Sequence, residues 1–383
     1  MMEERPLRIL LVGDYLDDAR LGSAKVSHKL REELSSLGHH CDALFSDALG
    51  AVPRGRQVRQ LVAPVLAARA IARAMGSVSY DVVDAASAEG LWLGIQKRAG
   101  RFRNTAFVCR SNGLEHLNYA RMLDDARMGL TTKPFTRRIW YPASRLSQVA
   151  LAARVADRLL LLNEMDRQYA LEHNWHPPGR IDVVSHGVSD RFLQNAPTDE
   201  GRGAGMLFCG AWDHVKGIAY LVDAWVRLAR RGAGVPLTIL GPGVPAERVL
   251  AAFPEHVRPH VTVIDRVPED RVIEEYRRHD ALIFPSTYEG FGLVVLEAMS
   301  QGLPVIATPV GCAAHLVVPG VTGLVVRPRD GSGLADAVMT LASDHAGRQR
   351  LGANGRAAVA GMTWRKTAEQ TVDTYVRALA QKS

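Results

Sequence analysis

Short apolar runs of strand length, each closed by a turn and separated by stretches of helical periodicity, recur along this chain and then begin again. The first series is LRILLVGDY, HCDALFS, DVVDAAS (81–87), NTAFVCRS (104–111), RLLLLN (158–163) and RIDVVS (180–185). The second is GMLFCGAW (205–212), PLTILGPG (236–243), VTVIDRV (261–267), DALIFPS (280–286), LPVIAT (303–308) and TGLVVRP (322–328). Continuous rather than alternating apolar character marks strands buried on both faces, and strand–helix alternation builds a parallel sheet covered on both sides. The helical patterns at 24–37, closed by Gly38, and at 216–232 fit between these strands. The expected fold class is therefore α/β, with two Rossmann-like domains facing each other across a cleft. The polar, Gly-rich stretch QNAPTDEGRGAG (194–205) reads as the linker between them. This gives an N-terminal domain over 1–193 and a C-terminal domain over 194–363. A charged amphipathic helix at about 364–383 is expected to pack back on the first domain, anchored by Trp364.

At 383 residues the chain is long enough for two cores without staples. The four cysteines (Cys41, Cys109, Cys209, Cys312) are far apart and form no metal-binding pattern, so they read as small buried apolar residues of a reducing compartment. The start, MMEERPLRILLVGDY, is too acidic for a secretory signal, and no run of about 18 apolar residues occurs. A cytoplasmic location follows as the expectation. No DxD-type dyad stands out in a loop, so no metal is expected; Asp17–Asp18 and Asp124–Asp125 read as solvated acids.

Charge is uneven. Residues 1–195 hold 27 Lys and Arg against 21 Asp and Glu, whereas 196–383 hold 20 against 19. Within 97–147 there are 11 basic and 3 acidic residues. This suits an anionic partner, and equally an Arg-rich solvated surface. TTKPFTRRIWYPASR (131–145) mixes Lys133, Arg137, Arg138 and Arg145 with Phe135, Trp140 and Tyr141, the composition of a membrane interface or of an ordinary loop and helix with buried aromatics. Peripheral contact with an anionic membrane, on its inner face, is one expectation for this segment.

The sharpest cluster is FPSTYEGFGLVVLEAMSQGLPVIAT (284–308). A strand ends at Phe284–Pro285, Glu289 precedes Gly290–Phe291–Gly292, and a helix beginning near Gly292 carries Glu297. The glycines allow close approach of backbone to a ligand, and amides at a helix start suit phosphate. Glu289 beside an anion site suits sugar hydroxyls, and Glu297 a second diol such as ribose. The spacing alone fits better a helix whose acidic first turn is favoured by the macrodipole.

In its setting PSxxEGFGLVVLEAMxxGLPVIAT, the E-x7-E pattern from Glu289 to Glu297 resembles the retaining glycosyltransferases of family four, which have the GT-B fold. The resemblance is dense over about 180–365 and weaker before it. It implies that Glu289 contacts the donor sugar, that the backbone of Gly290, Phe291, Gly292 and Leu293 receives sugar and diphosphate, that Glu297 binds ribose, and that backbone at Arg266 and Val267 faces the nucleobase. GAWDHVKGI (210–218) matches the family's Gly and Lys-Gly through Gly210, Lys216 and Gly217, which implies a lysine that neutralises diphosphate charge. Ala211 stands at the usual Arg position, where Arg266 or a first-domain residue would have to substitute. In the first domain, Gly22–Ser23 resembles the Gly-rich first loop. RSNGLEH (110–116) resembles the segment with an active-site His; Asn112 stands at that place and His116 follows, and either is a candidate to reach the donor. His315 stands where the family often has Glu.

The resemblance implies an enzyme that moves a sugar from a nucleotide-diphosphate donor to an acceptor hydroxyl with retention of configuration. It needs no cofactor or metal, and it implies a glycan, lipid-linked or small-molecule acceptor chosen by the first domain. The competing readings are a sugar-nucleotide epimerase or glycan phosphorylase on a related fold, and a non-enzymatic nucleotide- or nucleic-acid-binding protein. Neither GxGxxG nor GxxxxGK[ST] follows a suitable strand, so no nucleic-acid partner is expected.

Overall fold

The structure is a computed structural model, and it describes residues 5–18, 22–50, 55–130, 135–194 and 202–381. The chain divides into two compact units, one running to His186 and resuming at Trp364, the other spanning Gly187–Thr363.

The first unit holds a six-stranded sheet in the order β2-β1-β3-β4-β5-β6. Its strands are β1 (Arg8–Val12), β2 (His40–Leu44), β3 (Val82–Ala86), β4 (Ala106–Arg110), β5 (Arg158–Leu161) and β6 (Ile181–Val183). Every pairing is parallel. Successive side chains go to opposite faces, so each strand feeds two cores. Leu10, Val83, Phe107, Cys109 and Leu159 pack under α2 (Arg56–Ser77), α3 (Leu91–Arg98), α6 (Ser147–Val155) and α7 (Glu164–Glu172). Ile9, Val82, Ala106, Val108 and Leu160 pack under α1 (Gly22–Ser36) and α16 (Trp364–Ala380). Two more helices, α4 (Glu115–Arg127) and α5 (Phe135–Tyr141), follow β4; a single π-helical turn, Pro142–Leu146, joins α5 to α6.

Helix α16 is fixed by apolar packing and by one buried polar knot. Ala368, Val372, Tyr375 and Ala378 enter the core, and Tyr375 Oη donates to Asp84 Oδ2 at 2.6 Å. Arg110 of β4 meets the same carboxylate through Nε at 3.0 Å.

The second unit repeats the plan in the order β12-β11-β10-β7-β8-β9, again wholly parallel. The strands are β7 (Met206–Cys209), β8 (Leu237–Leu240), β9 (Val261–Ile264), β10 (Ala281–Phe284), β11 (Val305–Ala307) and β12 (Gly323–Val325). Its helices are α8 (Asp190–Gln194), α9 (Ile218–Arg230), α10 (Ala246–Leu250), α11 (Glu269–Arg278), α12 (Leu293–Ser300), α13 (Ala313–Leu316), α14 (Gly331–Ser343) and α15 (His345–Val359). Trp225, Leu228, Ile239, Phe253, Ile283 and Val338 are among the residues of its core.

The seam lies seven residues before the expected 193/194 boundary, for a local reason. Val188 N bonds Met362 O at 3.0 Å, and Phe192 is fully buried beside Tyr276, its carbonyl accepting from Gln301 Nε2. Helix α8 is thereby part of the second unit. Of the expected linker, 195–201 lie outside the described residues. Arg202 is stitched to the second unit, donating to the carbonyls of Tyr276 and His279 at 3.1 and 2.9 Å and to that of Gln301 at 2.9 Å.

Candidate active site

In parallel α/β sheets the loops after the strands carry ligands. The loops after β7 and β10 are sewn together in the second unit. Asp213 caps the short turn His214–Lys216, its side chain accepting from Val215 N at 3.0 Å. Val215 O then accepts Thr287 N at 2.8 Å. Gly217 closes the turn at φ 74, and a Cβ there would stand 2.0 Å from Pro285 O. Only glycine satisfies both the left-handed backbone and that approach. The result is that Lys216 Nζ lies 2.6 Å from Glu289 Oε2, both side chains being largely but not fully buried.

The loop beyond Glu289 is clamped from the other side. Cys312 N bonds Phe291 O at 2.6 Å, and Cys312 Sγ lies 3.3 Å from Gly292 O. Gly292 takes φ 92 and begins α12 without a side-chain cap hydrogen bond. Gly290, Phe291, Gly292 and Leu293 therefore lead from the Glu289 carboxylate to an uncapped helix start, the arrangement that favours an anion. Glu297 lies one turn further on, buried, and accepts from Tyr276 Oη of α11 at 3.2 Å. Burial pushes the Tyr276 hydroxyl well above its ordinary range, which keeps it a donor.

Gly210 leaves β7 at φ 146, and a Cβ on it would meet only the Lys216 side chain, at 4.0 Å. Trp212 N bonds Pro242 O at 2.8 Å, which ties the loop bearing Ala211 to Gly241–Gly243 after β8. Arg266, exposed after β9, lies along that same loop: a Cβ on Gly243 would be 2.8 Å from its Nη2. The structure thus places the Arg266 guanidinium beside the Gly241–Gly243 loop, to which Trp212 ties the loop bearing Ala211. Val267, next in the chain, is half-buried. His315 sits on α13, its pKa lowered by burial.

The first-unit candidates lie on α1, in the loop after β4 and on α4. Gly22 and Ser23 open α1 instead of forming a loop, and Gly22 has no positive φ; the preceding residues 19–21 lie outside the described residues. Asn112 follows β4, with its Oδ1 buried and unpartnered. His116, on α4, packs edge-on against Trp175 at 4.9 Å and beside Tyr169 at 5.7 Å. Burial lowers its pKa to about 4, so the ring is neutral at pH 7.

One cluster was not nominated from sequence. Arg145 bridges Glu89 at 3.2 Å and Glu115 at 2.9 Å, and Glu115 also accepts from Ser87 Oγ at 2.7 Å and Tyr141 Oη at 2.8 Å. Burial alone would push Glu115 up, but Arg145 and these hydrogen bonds outweigh it and hold the carboxyl low. Burial raises Glu89. No sequence signal pointed to it; the left-handed Ser87 after β3 is seen only in the structure. The same cluster engages part of the 131–145 segment, as the alternative of an ordinary loop and helix with buried aromatics expects. Tyr141 and Arg145 are turned to Glu115, Arg137 lies over the Tyr141 ring at 5.4 Å, and Lys133 lies outside the described residues.

Comparison with known proteins follows the same division. The family described as glycosyl transferases group 1 matches residues 203–344. The chain is 32% identical over 240 residues to D-inositol 3-phosphate glycosyltransferase of Nocardia farcinica, covering 58% of this chain and 53% of the relative. It is 32% identical over 204 residues to glycogen synthase of Mycobacterium tuberculosis, covering 52% and 49%. The chain spans about half the length of the curated relatives it matches. In fold it resembles sucrose-phosphate synthase of Thermosynechococcus elongatus (TM-score 0.80, 23% identity, 98% of this chain and 100% of that one). It also resembles WaaG, a glycosyltransferase involved in lipopolysaccharide biosynthesis (TM-score 0.72, 15% identity, 95% and 98%). A further structural match is Anabaena HepE in complex with UDP and glucose (TM-score 0.69, 17% identity, 97% and 100%).

Proposed function

We propose that this chain, in which residues 203–344 are a group 1 glycosyltransferase domain within a GT-B fold, moves a sugar from a nucleotide-diphosphate donor to an acceptor hydroxyl with retention of configuration. The observation that carries the reading is the Lys216–Glu289 pair set before the uncapped start of α12. A cation, a carboxylate and a glycine-led helix start without a side-chain cap, within one short loop, are what a sugar diphosphate requires. The sugar hydroxyls bond Glu289, and the diphosphate takes the backbone of Gly290–Leu293 and Lys216. The ribose bonds Glu297, which Tyr276 holds in place. Arg266 supplies the second cation in place of Ala211, and backbone at Arg266 and Val267 meets the base.

Lys216 and Glu289 neutralise each other until the donor separates them. Diphosphate charge grows as the glycosidic bond breaks, so the lysine stabilises the departing group more than the bound donor. The acceptor attacks on the face from which the diphosphate leaves, and a leaving-group oxygen takes its proton, so no side-chain base is required. Of the first-unit candidates, Asn112 is our proposed hydrogen-bonding group, its buried amide oxygen being without a partner. The neutral His116 would act only as a hydrogen-bonding or packing group. We read the transfer as metal-independent, with a glycan, lipid-linked or small-molecule acceptor, in the cytoplasm and in peripheral contact with an anionic membrane. No helix among the described residues is long and apolar enough to cross one.

The test is thermal shift against UDP, GDP, ADP and their sugar conjugates. A specific donor stabilises by about 2.7 kcal/mol at 100 times its dissociation constant, and chelation of divalent ions should leave the shift and the turnover intact. Absence of stabilisation by every nucleotide would overturn the reading.

A further inference from the structure

Exposed large apolar side chains are concentrated in the first unit, on the helical layer that covers one face of its sheet. Val58, Leu61 and Val65 of α2, Trp92 and Ile95 of α3, and Leu151 of α6 are each 37–47% exposed. The three helices are neighbours. Helix α3 packs against both α2 and α6, Gln148 Nε2 of α6 donates to Leu61 O of α2 at 3.0 Å, and Arg98 of α3 donates to Arg154 O of α6. On α2 the exposed residues step by three and four, 58–61–65–69, and so form one outward stripe that runs from apolar residues into Arg69.

The same helices contain seven Lys and Arg and no Asp or Glu. Three of those charges lie on the outer face without a carboxylate partner among the described residues: Arg69, Arg98 and Arg154, with Arg73 a fourth one turn beyond Arg69. By contrast Arg59 is paired to Asp14 and Lys97 to Asp157. A water-facing helix layer normally carries both signs of charge. An apolar centre with an aromatic residue, a rim of arginines without carboxylate partners among the described residues and no acid on these three helices is the composition of a surface that meets an anionic, partly apolar plane.

We propose that the outer face of α2, α3 and α6 is a docking surface for an anionic phospholipid bilayer, with Trp92, Leu61 and Leu151 entering the headgroup boundary and Arg69, Arg73, Arg98 and Arg154 meeting lipid phosphates. The inference rests on the reading of this chain as a peripheral protein and not on its transfer chemistry. It replaces the 131–145 segment, whose Tyr141 and Arg145 are engaged with Glu115, as the lipid-facing element.

The experiment is flotation of the full chain with vesicles of phosphatidylcholine alone or of phosphatidylcholine and phosphatidylglycerol in equal parts. The expected result is recovery with the anionic vesicles only, reversed by salt. Leu61→Ser with Trp92→Ser should abolish recovery, and Arg69→Gln with Arg73→Gln should lower the partition coefficient by roughly fivefold for each arginine removed. Arg137→Gln with Arg138→Gln, and Arg248→Gln in the second unit, should float as the parent does. Thermal shift by nucleotide, unchanged in all variants, shows that each is folded and separates failure of this proposal from failure of the donor-binding reading. Equal recovery on both vesicle types, or parental recovery of the Leu61/Trp92 variant, overturns the proposal. So does retention on a soluble polyanion at salt concentrations that release the vesicles, which would make the face a polyanion site.

Discussion

Lys216 Nζ and Glu289 Oε2 stand 2.6 Å apart although 73 residues separate them in the chain. The contact exists because Gly217 lets the β7 turn lie against the Pro285 carbonyl, and it means that the two groups assigned to diphosphate and sugar satisfy one another before either ligand arrives. A donor must exchange that ion pair for its own contacts.

Glu289→Gln should therefore act in two directions. It frees Lys216, so a bare nucleoside diphosphate should bind about 2–5 times more tightly, the scale of a partly exposed ion pair. Turnover should fall about 10- to 100-fold, because the charged acceptor for the sugar is gone. Lys216→Met should lower turnover more than donor affinity. Calorimetric affinities and initial rates decide; weaker binding of the bare diphosphate by the Glu289 variant would exclude the release of Lys216.

Glu297 and Tyr276 form the second test. Glu297→Gln should weaken bare nucleotides by about 10- to 100-fold. Tyr276→Phe removes only the hydrogen bond that orients Glu297, so its loss should be smaller and additive to nothing in the double variant, since both act through one carboxylate. Additive losses measured by calorimetry would separate the two residues.

Asp166, near the start of α7, is buried with Oδ2 unpartnered, and burial raises its pKa to about 7 from an ordinary 3.8. A carboxyl raised on folding stabilises fully below its unfolded pKa, and that contribution is lost as pH rises through the folded value. Stability should thus decline between about pH 4 and 7 by up to about 4 kcal/mol on this account. Asp166→Asn, which cannot ionise, should remove that decline and be more stable than the parent at pH 8. Denaturant unfolding at both ends of the window checks it; parallel pH curves for parent and variant would refute it.

Tyr375→Phe should cost about 1–3 kcal/mol, because Asp84 loses a buried donor. Asp84→Asn should cost more, about 3–5 kcal/mol, because Arg110 keeps a buried charge without its counter-ion. Urea unfolding followed through the first unit measures both; equal costs would mean that Arg110 does not depend on Asp84.

The strands of both sheets were legible as short apolar runs, most plainly where burial on two faces demands uninterrupted apolar character, as in RLLLLN; the edge strand β2, HCDAL, is only partly buried and is interrupted by Asp42. The pairings were less so. Arg145 lies in an Arg-rich stretch that reads as solvated surface, yet it is buried by Glu89 and Glu115, 56 and 30 residues away. Sequence shows charge but not which distant partner neutralises it. Gly22–Ser23 read as a loop glycine pair, whereas the helix begins there, since neither residue needs a left-handed backbone. Lys216 and Glu289 were each singled out on local grounds, and their meeting depends on the packing of Gly217 on Pro285, which no local pattern contains.

The first unit is completed by a helix that lies 178 residues beyond His186, the last residue before the second unit intervenes. During synthesis, then, Asp84 and Arg110 wait without the Tyr375 hydroxyl, and the part of the sheet face that α16 covers beside α1 stays bare, until residues 364–380 have been made. The second unit, continuous in sequence, is able to finish first. The unit that is encoded first is the last to become whole, and its early sheet should need protection until α16 arrives.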